Sequence, residues 1–377
     1  MRFEITLTIA LSAALLLSCG RETPVHLDGT LRYQMSVYYT DTTGTISPAI
    51  IPVQNAEVTL TAVSYSGADG NPLTYTQFTD SSGLAVFDQL AVGRYNVYVS
   101  KEIKTNTKTI LITGSKTLVL PDSIQGVDSL RATPIEKSNL VINEIYFCGP
   151  ENRNYYFYDQ FVELYNNSDI TVYLDGMYLC RAAQTHPTDL HERDYVQTLN
   201  LFRFPGEALT GREYPVAPGQ FVVIAQDAVD HSQYIATAVD LSGADWEFYN
   251  PYGGDIDFPA PNVENFLPEK TNDFMINLTH NAVILSDGSD WYWGEINEND
   301  YQYIHIPIST IIDGVEYSSN PEKQKELNRR VDAGFAGVNI PKYSGMSTQR
   351  REPGFDTNNS SIDFVNLDHP TPGYQNE

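Results

Sequence analysis

The sequence predicts an all-β chain: two antiparallel β-sandwich domains, the second enlarged by long loop insertions and carrying one short helix. Composition points that way first, with 25 Tyr, 25 Gly and 21 Pro against only 19% charged residues. Aromatic side chains favour pleated, half-buried surfaces, and glycine and proline supply turns. Short runs in which apolar and polar residues alternate come next, since a period of two puts every second side chain on one sheet face. The hydrophobic fraction of 41% is ample for packed cores.

The chain opens on Met1-Arg2-Phe3, followed by an apolar run from Ile5 to Leu17. That run is too short for a membrane-spanning helix, which needs ~20 residues. A basic start, a short apolar core and small residues before a cut site read as a secretory signal. Leu16-Leu17-Ser18-Cys19-Gly20 resembles the lipobox of bacterial lipoproteins. The resemblance implies a signal over residues 1–18, lipid on Cys19 and a tether over 19–30. One acyl chain anchors only marginally, so stable anchoring calls for several. Gly20 after the cysteine fits an outer-membrane lipoprotein, with the periplasmic or surface face left open.

Cys148 and Cys180 remain. An exported pair fits a single disulfide, and two buried thiols fit equally well. Charge shifts near residue 136: residues 24–135 carry 9 acidic and 7 basic side chains, residues 136–377 carry 37 and 14. So acidic a surface excludes nucleic acid as a partner, because phosphates need lysine and arginine. It suits cations, cationic ligands or sugars, or serves solubility alone.

In the first domain, Leu31, Tyr33, Met35 and Val37 share one strand face. Further strands are expected at Val53–Thr61, Leu84–Phe87, Tyr95–Val99, Thr107–Ile112 and Thr117–Leu120. Pro52-Val53-Gln54-Asn55-Ala56-Glu57-Val58, Thr79-Asp80-Ser81-Ser82-Gly83-Leu84-Ala85-Val86-Phe87 and Leu90-Ala91-Val92-Gly93-Arg94-Tyr95 resemble the transthyretin-like, carboxypeptidase-regulatory-like domains. The resemblance implies a sandwich over 31–120 acting as spacer or docking module, without catalysis. Residues 121–138, with Pro121, Gly126 and Pro134, read as a linker.

The second domain, 139–377, opens with strands at Leu140–Phe147 and Gln160–Asn167. A strand and turn over Ile170–Leu179, an apolar strand over Phe221–Ala225 and another over Asn281–Asp287 follow. The series Val141-Ile142-Asn143-Glu144, Phe161-Val162-Glu163-Leu164-Tyr165-Asn166, Ala217-Pro218-Gly219, Asp363-Phe364 and Thr371-Pro372-Gly373 is similar, in order, to the lamin-tail domain, an immunoglobulin-like sandwich. Met177 stands where that pattern has tryptophan. Lipobox, transthyretin-like domain and lamin-tail-like domain together resemble a Bacteroidetes lipoprotein family without assigned function. Asn320, Pro321 and Gly334 bracket the expected helix, whose charged Glu322–Arg330 stretch places it on the surface.

Four insertions, about 150–158, 181–214, 226–273 and 289–312, hold an aromatic load. Tyr155, Tyr156, Phe157 and Tyr158 form one cluster, Trp246, Phe248, Tyr249 and Tyr252 a second, Trp291, Tyr292, Trp293, Tyr301 and Tyr303 a third. Such rings stack on sugars or ligand rings and hold cations, or they pack long loops onto a scaffold. Loops on a rigid scaffold are where binding is built, so Tyr155, Tyr156, Tyr158, Trp246, Tyr249, Tyr252, Trp291 and Trp293 are the expected ligand contacts. Asp356 and Asn358 offer oxygen ligands to calcium, and His186, His191, Asp189 and Asp194 could meet a metal; no other cofactor is expected. No nucleophile elbow, phosphate loop or dinucleotide fingerprint occurs. The leading expectation is a non-enzymatic binding lipoprotein for a glycan, haem, siderophore or other nutrient, serving a TonB-dependent outer-membrane transporter. A structural or adhesive envelope protein is the second reading, and a hydrolase using Glu144 or Glu163 the third.

Overall fold

The computed structural model describes residues 29–41, 49–66, 72–104, 109–120, 126–136, 138–155, 157–190, 192–252, 254–269, 273–297 and 300–376. The signal, the tether with Cys19, Tyr156 and His191 lie outside the described residues. Among those described, no helix is long and apolar enough to cross a membrane. The chain divides into two units, 1–101 with 112–134, and 102–111 with 135–377.

The first unit is a sandwich of two sheets. Leu31–Asp41 pairs antiparallel with Ala49–Pro52 and Leu84–Leu90, and parallel with Asp128–Arg131. The second sheet runs Pro72–Phe78, Glu57–Ser66, Gly93–Lys104, Thr109–Leu120, Thr133–Glu136. Tyr33, Met35 and Val37 alternate into the core with Val58, Leu60, Phe87, Tyr95 and Val97, all essentially buried. Tyr95 donates its hydroxyl proton to the Ala91 carbonyl at 2.9 Å, which satisfies a buried polar tip. The linker reading of 121–138 is corrected over 128–136. Those residues form two strands, because Leu130 and Ala132 bring apolar side chains that the sandwich buries.

The second unit is one long sheet folded over itself. Its strands run in the order Ile311–Ser318, His280–Ser286, Tyr178–Ala182, Tyr195–Arg203, Asn262–Asn265, Trp246–Tyr249, Phe221–Ala225, Phe161–Asn166, Leu140–Tyr146, Ser347–Arg350, Phe364–Leu367. One core gathers residues from both halves, including Ile142, Leu164, Ile224, Leu179, Phe202, Val283 and Val315. The two halves are joined where the Ile142 amide donates to Asp313 Oδ2 at 2.7 Å. Residues expected as loops contribute strands: Tyr195–Arg203, Trp246–Tyr249 and Asn262–Asn265 belong to the main run, and Tyr292–Ile296 pairs with Gln302–Pro307 beside it.

The strands Tyr178–Ala182 and His280–Ser286 are buried on both faces, save the half-buried Arg181. Leu179, Val283 and Leu285 face the main core, while Cys180, Ala282 and Ile284 face a second one with Ile304, Ile306, Leu327 and Val331. The segment 320–334 covers that outer face, and the helix expected there is absent. Its backbone amides are taken by side chains instead: Glu326 and Leu327 donate to the Glu316 carboxylate at 2.8 and 3.0 Å, Glu322 to Asn320, Arg330 to Asn328, Gly334 to Asp332. Such side-chain acceptors compete with helical bonding. Burial of Leu327, Val331 and Asp332 also overturns the surface placement. Among the described residues the one α-helix is the short Ser360–Asp363.

Candidate functional site

The loop between Leu140–Tyr146 and Phe161–Asn166 projects Tyr155, Phe157 and Tyr158 into a cavity of about 460 Å³. Gln160 pins that loop, donating to the Phe147 and Ile276 carbonyls at 2.8 and 2.9 Å and accepting from the Ile276 amide at 3.1 Å. The far wall is built on Glu247 of the strand Trp246–Tyr249. Its two carboxylate oxygens accept the Ala228 amide at 2.7 Å and the Phe258 amide at 3.0 Å, so one side chain sets two loops. Burial pushes Glu247 up to about 7.

The rings meet closely. Tyr155 lies 5.0 Å from Tyr158 and 5.5 Å from His231 between centroids, and Phe157 stacks on Tyr158 at 4.2 Å. His231 sits in a short 3₁₀ turn, His231–Gln233, capped by Asp230. Its Nε2 lies 2.9 Å from the Asp227 carbonyl, which can only accept, so Nε2 carries the proton. Nδ1 therefore accepts from the Tyr155 hydroxyl at 2.6 Å. Burial lowers the His231 pKa and keeps the ring neutral.

Opposite the rings stand Asp227, Asp255 and Asp273. Burial, then the charges of Asp255 and Asp273, pushes Asp227 up to about 8. Burial, then Asp255, raises Asp273 to about 6. Burial raises Asp255 as well, although its oxygens accept the Asn250 and Ile256 amides. With no cation lining the cavity among the described residues, ionising all three acids is costly, and Asp227, raised the furthest, holds its proton at neutral pH. Aromatic faces opposite such a group form a cage for a positively charged ligand.

Of the ligand contacts expected from sequence, Tyr155 and Tyr158 come together here. Trp246 is instead core, packed edge-on against Phe204 and Tyr214. Trp291 packs edge-on against Phe266 on the outer core, with Trp293 beside it. Tyr249 is half-buried at the end of its strand, while the exposed Tyr252 lines a separate cavity with Arg203 and Phe266. Sequence reasoning missed Asp227, His231, Tyr234, Asp255, Phe258 and Asp273, which are scattered through one 48-residue stretch, 226–273, without a spacing rule.

The remaining expectations are corrected. Cys148 and Cys180 are separate buried thiols, since one faces Ser344 and Met346 in the main core and the other the outer core. Asp356 does not offer itself to calcium: it pairs with the buried Arg350 guanidinium at 3.3 Å, and its Oδ1 also accepts the Asn358 amide. A cation already fills that position. His186 pairs with Glu326, Asp189 with Arg193 and Asp194 with Arg330, which separates the histidine-loop candidates. Among the described residues, no group of three or more His, Cys, Asp or Glu side chains is arranged to hold a metal.

Glu144 and Glu163 face each other across paired strands, fully buried. Glu144 accepts from Ser347 Oγ at 2.5 Å, Gln349 Nε2 at 3.0 Å and the Thr371 hydroxyl at 2.9 Å. Glu163 accepts from Asn143 Nδ2 at 3.0 Å and the Gly373 amide at 2.6 Å. Both carboxylates are occupied in holding Thr371-Pro372-Gly373, and neither lines the cavities described here, so the hydrolase reading loses its residues.

Residues 217–371 match a family model described as "Protein of unknown function (DUF4876)". The chain is similar to a solved DUF4876 family protein from Bacteroides thetaiotaomicron, at 25% identity and a TM-score of 0.52, covering 88% of this chain and 94% of that one. A solved minor pilin from Streptococcus agalactiae matches at 10% identity and a TM-score of 0.20, over 62% of this chain and 95% of that one. No curated protein matches.

Proposed function

We propose that this chain is a ligand-binding lipoprotein of the bacterial outer membrane, and that the aromatic cavity at Tyr155 takes a small organic cation. One observation carries the binding reading: Tyr155, Tyr158, Tyr234 and Phe258 face Asp227, Asp255 and Asp273 across about 460 Å³. Pockets of this size with apolar walls and a few convergent polar groups are the usual form of small-molecule sites. A bound cation supplies the counter-charge that no described residue lining the cavity provides, and its binding displaces the proton on Asp227. The lipobox at Cys19 supports the anchor, and delivery of nutrient to an outer-membrane transporter is the role proposed for it. The first sandwich, with its transthyretin-like motifs, serves as a spacer or docking module.

Thermal-shift measurements with tyramine, choline and spermidine, beside haem, a ferric siderophore and neutral oligosaccharides, test this. Occupancy at ~100 times the dissociation constant adds ~2.7 kcal/mol of stability. The amines are expected to raise the melting temperature, and Tyr158→Ala with Tyr234→Ala to abolish that rise; both side chains are exposed, at 38% and 65%, so the fold tolerates their loss. A flat response to every probe, or a rise the double variant leaves intact, rejects the cavity and favours a protein-docking role.

A further inference from the structure

A second cavity, of about 500 Å³, opens where the strands Tyr178–Ala182 and Tyr195–Arg203 meet residues 275–281. Alternation makes its oddity plain. Leu179, Phe202, Val283 and Leu285 point into the main core. Two residues along the same faces stand Arg181, Asn200 and Asn281, where the period of two calls for apolar side chains. Local rules broken in this way gather at functional sites.

The electrostatics are inverted relative to the rest of the chain. The protein carries 48 acidic against 23 basic residues, yet the cavity is lined by Arg181 and Lys342 and by no carboxylate. Among the described residues neither cation has an acidic partner. Arg181 donates to the Met275 carbonyl and, at 3.0 Å, to Asn200 Oδ1, which leaves guanidinium N–H groups unused. Burial lowers the Arg181 pKa, the mark of a desolvated charge without compensation. The other groups left over are donors too. Asn277 and Asn281 use their side-chain oxygens to accept the Thr279 and Ala282 amides, and their Nδ2 groups find no partner among the described residues. Tyr303 closes one side with a half-buried ring.

We infer that this cavity binds a sugar carboxylate: the guanidinium of Arg181 and the ammonium of Lys342 take the carboxylate, and Asn277 and Asn281 donate to hydroxyls. A planar, doubly accepting carboxylate matches the guanidinium fork. Amide donors beside it and a flat ring at the wall suit a hydroxylated ring rather than a bare anion. The site is separate from the aromatic cavity and stands whether or not that cavity binds amines.

Calorimetric titration of the full chain with D-glucuronate, D-glucose and inorganic phosphate tests the inference. Glucuronate is expected to bind, with glucose and phosphate each at least about tenfold weaker, a difference of ~1.4 kcal/mol. Lys342→Gln, at an exposed position whose side chain makes no hydrogen bond or ion pair among the described residues, is expected to weaken glucuronate about tenfold and leave the melting temperature unchanged. Arg181→Gln is expected to weaken it further. Equal binding of glucose and glucuronate, tightest binding of phosphate, no binding of glucuronate, or an unchanged affinity in Lys342→Gln would each overturn it.

Discussion

Among the described residues Arg350 is the largest fully buried side chain, 1% exposed, and three acids surround it. Asp313 lies at 2.8 Å, Asp356 and Asp363 at 3.3 Å, and the guanidinium also donates to the Ile142 and Phe355 carbonyls. The acids hold the guanidinium charged, while burial raises Asp313 and Asp363 despite the cation beside them. Removing one member of such a cluster leaves uncompensated buried charge, which costs about 3–5 kcal/mol. Arg350→Met is therefore expected to lower the urea-unfolding free energy by roughly that amount. A loss below about 1 kcal/mol would mean the three acids simply take up protons. In the sequence, Thr348-Gln349-Arg350-Arg351 gives no sign of which arginine is buried; the partners come from positions 37 residues before and 13 after.

Among elements, the C-terminal segment decides more than its length suggests. Thr371 and Gly373 satisfy two carboxylates that the paired strands bury, and Gln375 donates to the Arg350 carbonyl at 2.6 Å. Ending the chain at Pro370 leaves Glu144 without two of its donors and Glu163 without one. An unsatisfied buried acceptor costs about 1–3 kcal/mol, more when charged. The truncated chain is expected to melt lower, with faster amide exchange in the strands Leu140–Tyr146 and Phe161–Asn166, which hydrogen-exchange mass spectrometry reads. Unchanged protection there would show that the strands hold without the clamp. The glutamates and the Thr371-Pro372-Gly373 turn were visible as motifs; that the turn exists to satisfy the glutamates was not, because more than 200 residues separate Thr371 and Gly373 from them.

At the scale of the molecule, the acidic balance has a pH consequence. Burial raises Glu144 to about 7, Asp159 to about 7, Asp273 to about 6 and Asp227 to about 8; burial and then the Glu144 charge raise Glu163 to about 8. Folded values above the ordinary carboxylate range mean the native state binds more protons than the unfolded chain. The stability they contribute is complete below about pH 4 and fades as pH rises through about 8, each group by at most ~1.4 kcal/mol per unit. Glu316 and Asp128, held low by Lys325 and Lys116 among other partners, work in the opposite sense at acid pH. Melting temperature is expected to fall between pH 5 and pH 8; a rise across that window would contradict the assigned protonation states.

Local patterns in the sequence determined the all-β class, the strands at residues 31–37, 84–87, 95–99, 140–146, 161–166, 221–225 and 281–286, and the grouping of Tyr155 with Tyr158 in one aromatic loop cluster. Each is a short-range property, a period of two or a cluster within one loop. Tertiary structure alone decided the rest. Residues 320–334 became a buried cover because Glu316 captures their amides, Trp246 became core because Phe204 and Tyr214 reach it, and the strands of the supposed insertions joined the sheet. Both cavities are assembled from residues tens to more than a hundred positions apart, and charge compensation between such residues exists only once the chain is folded.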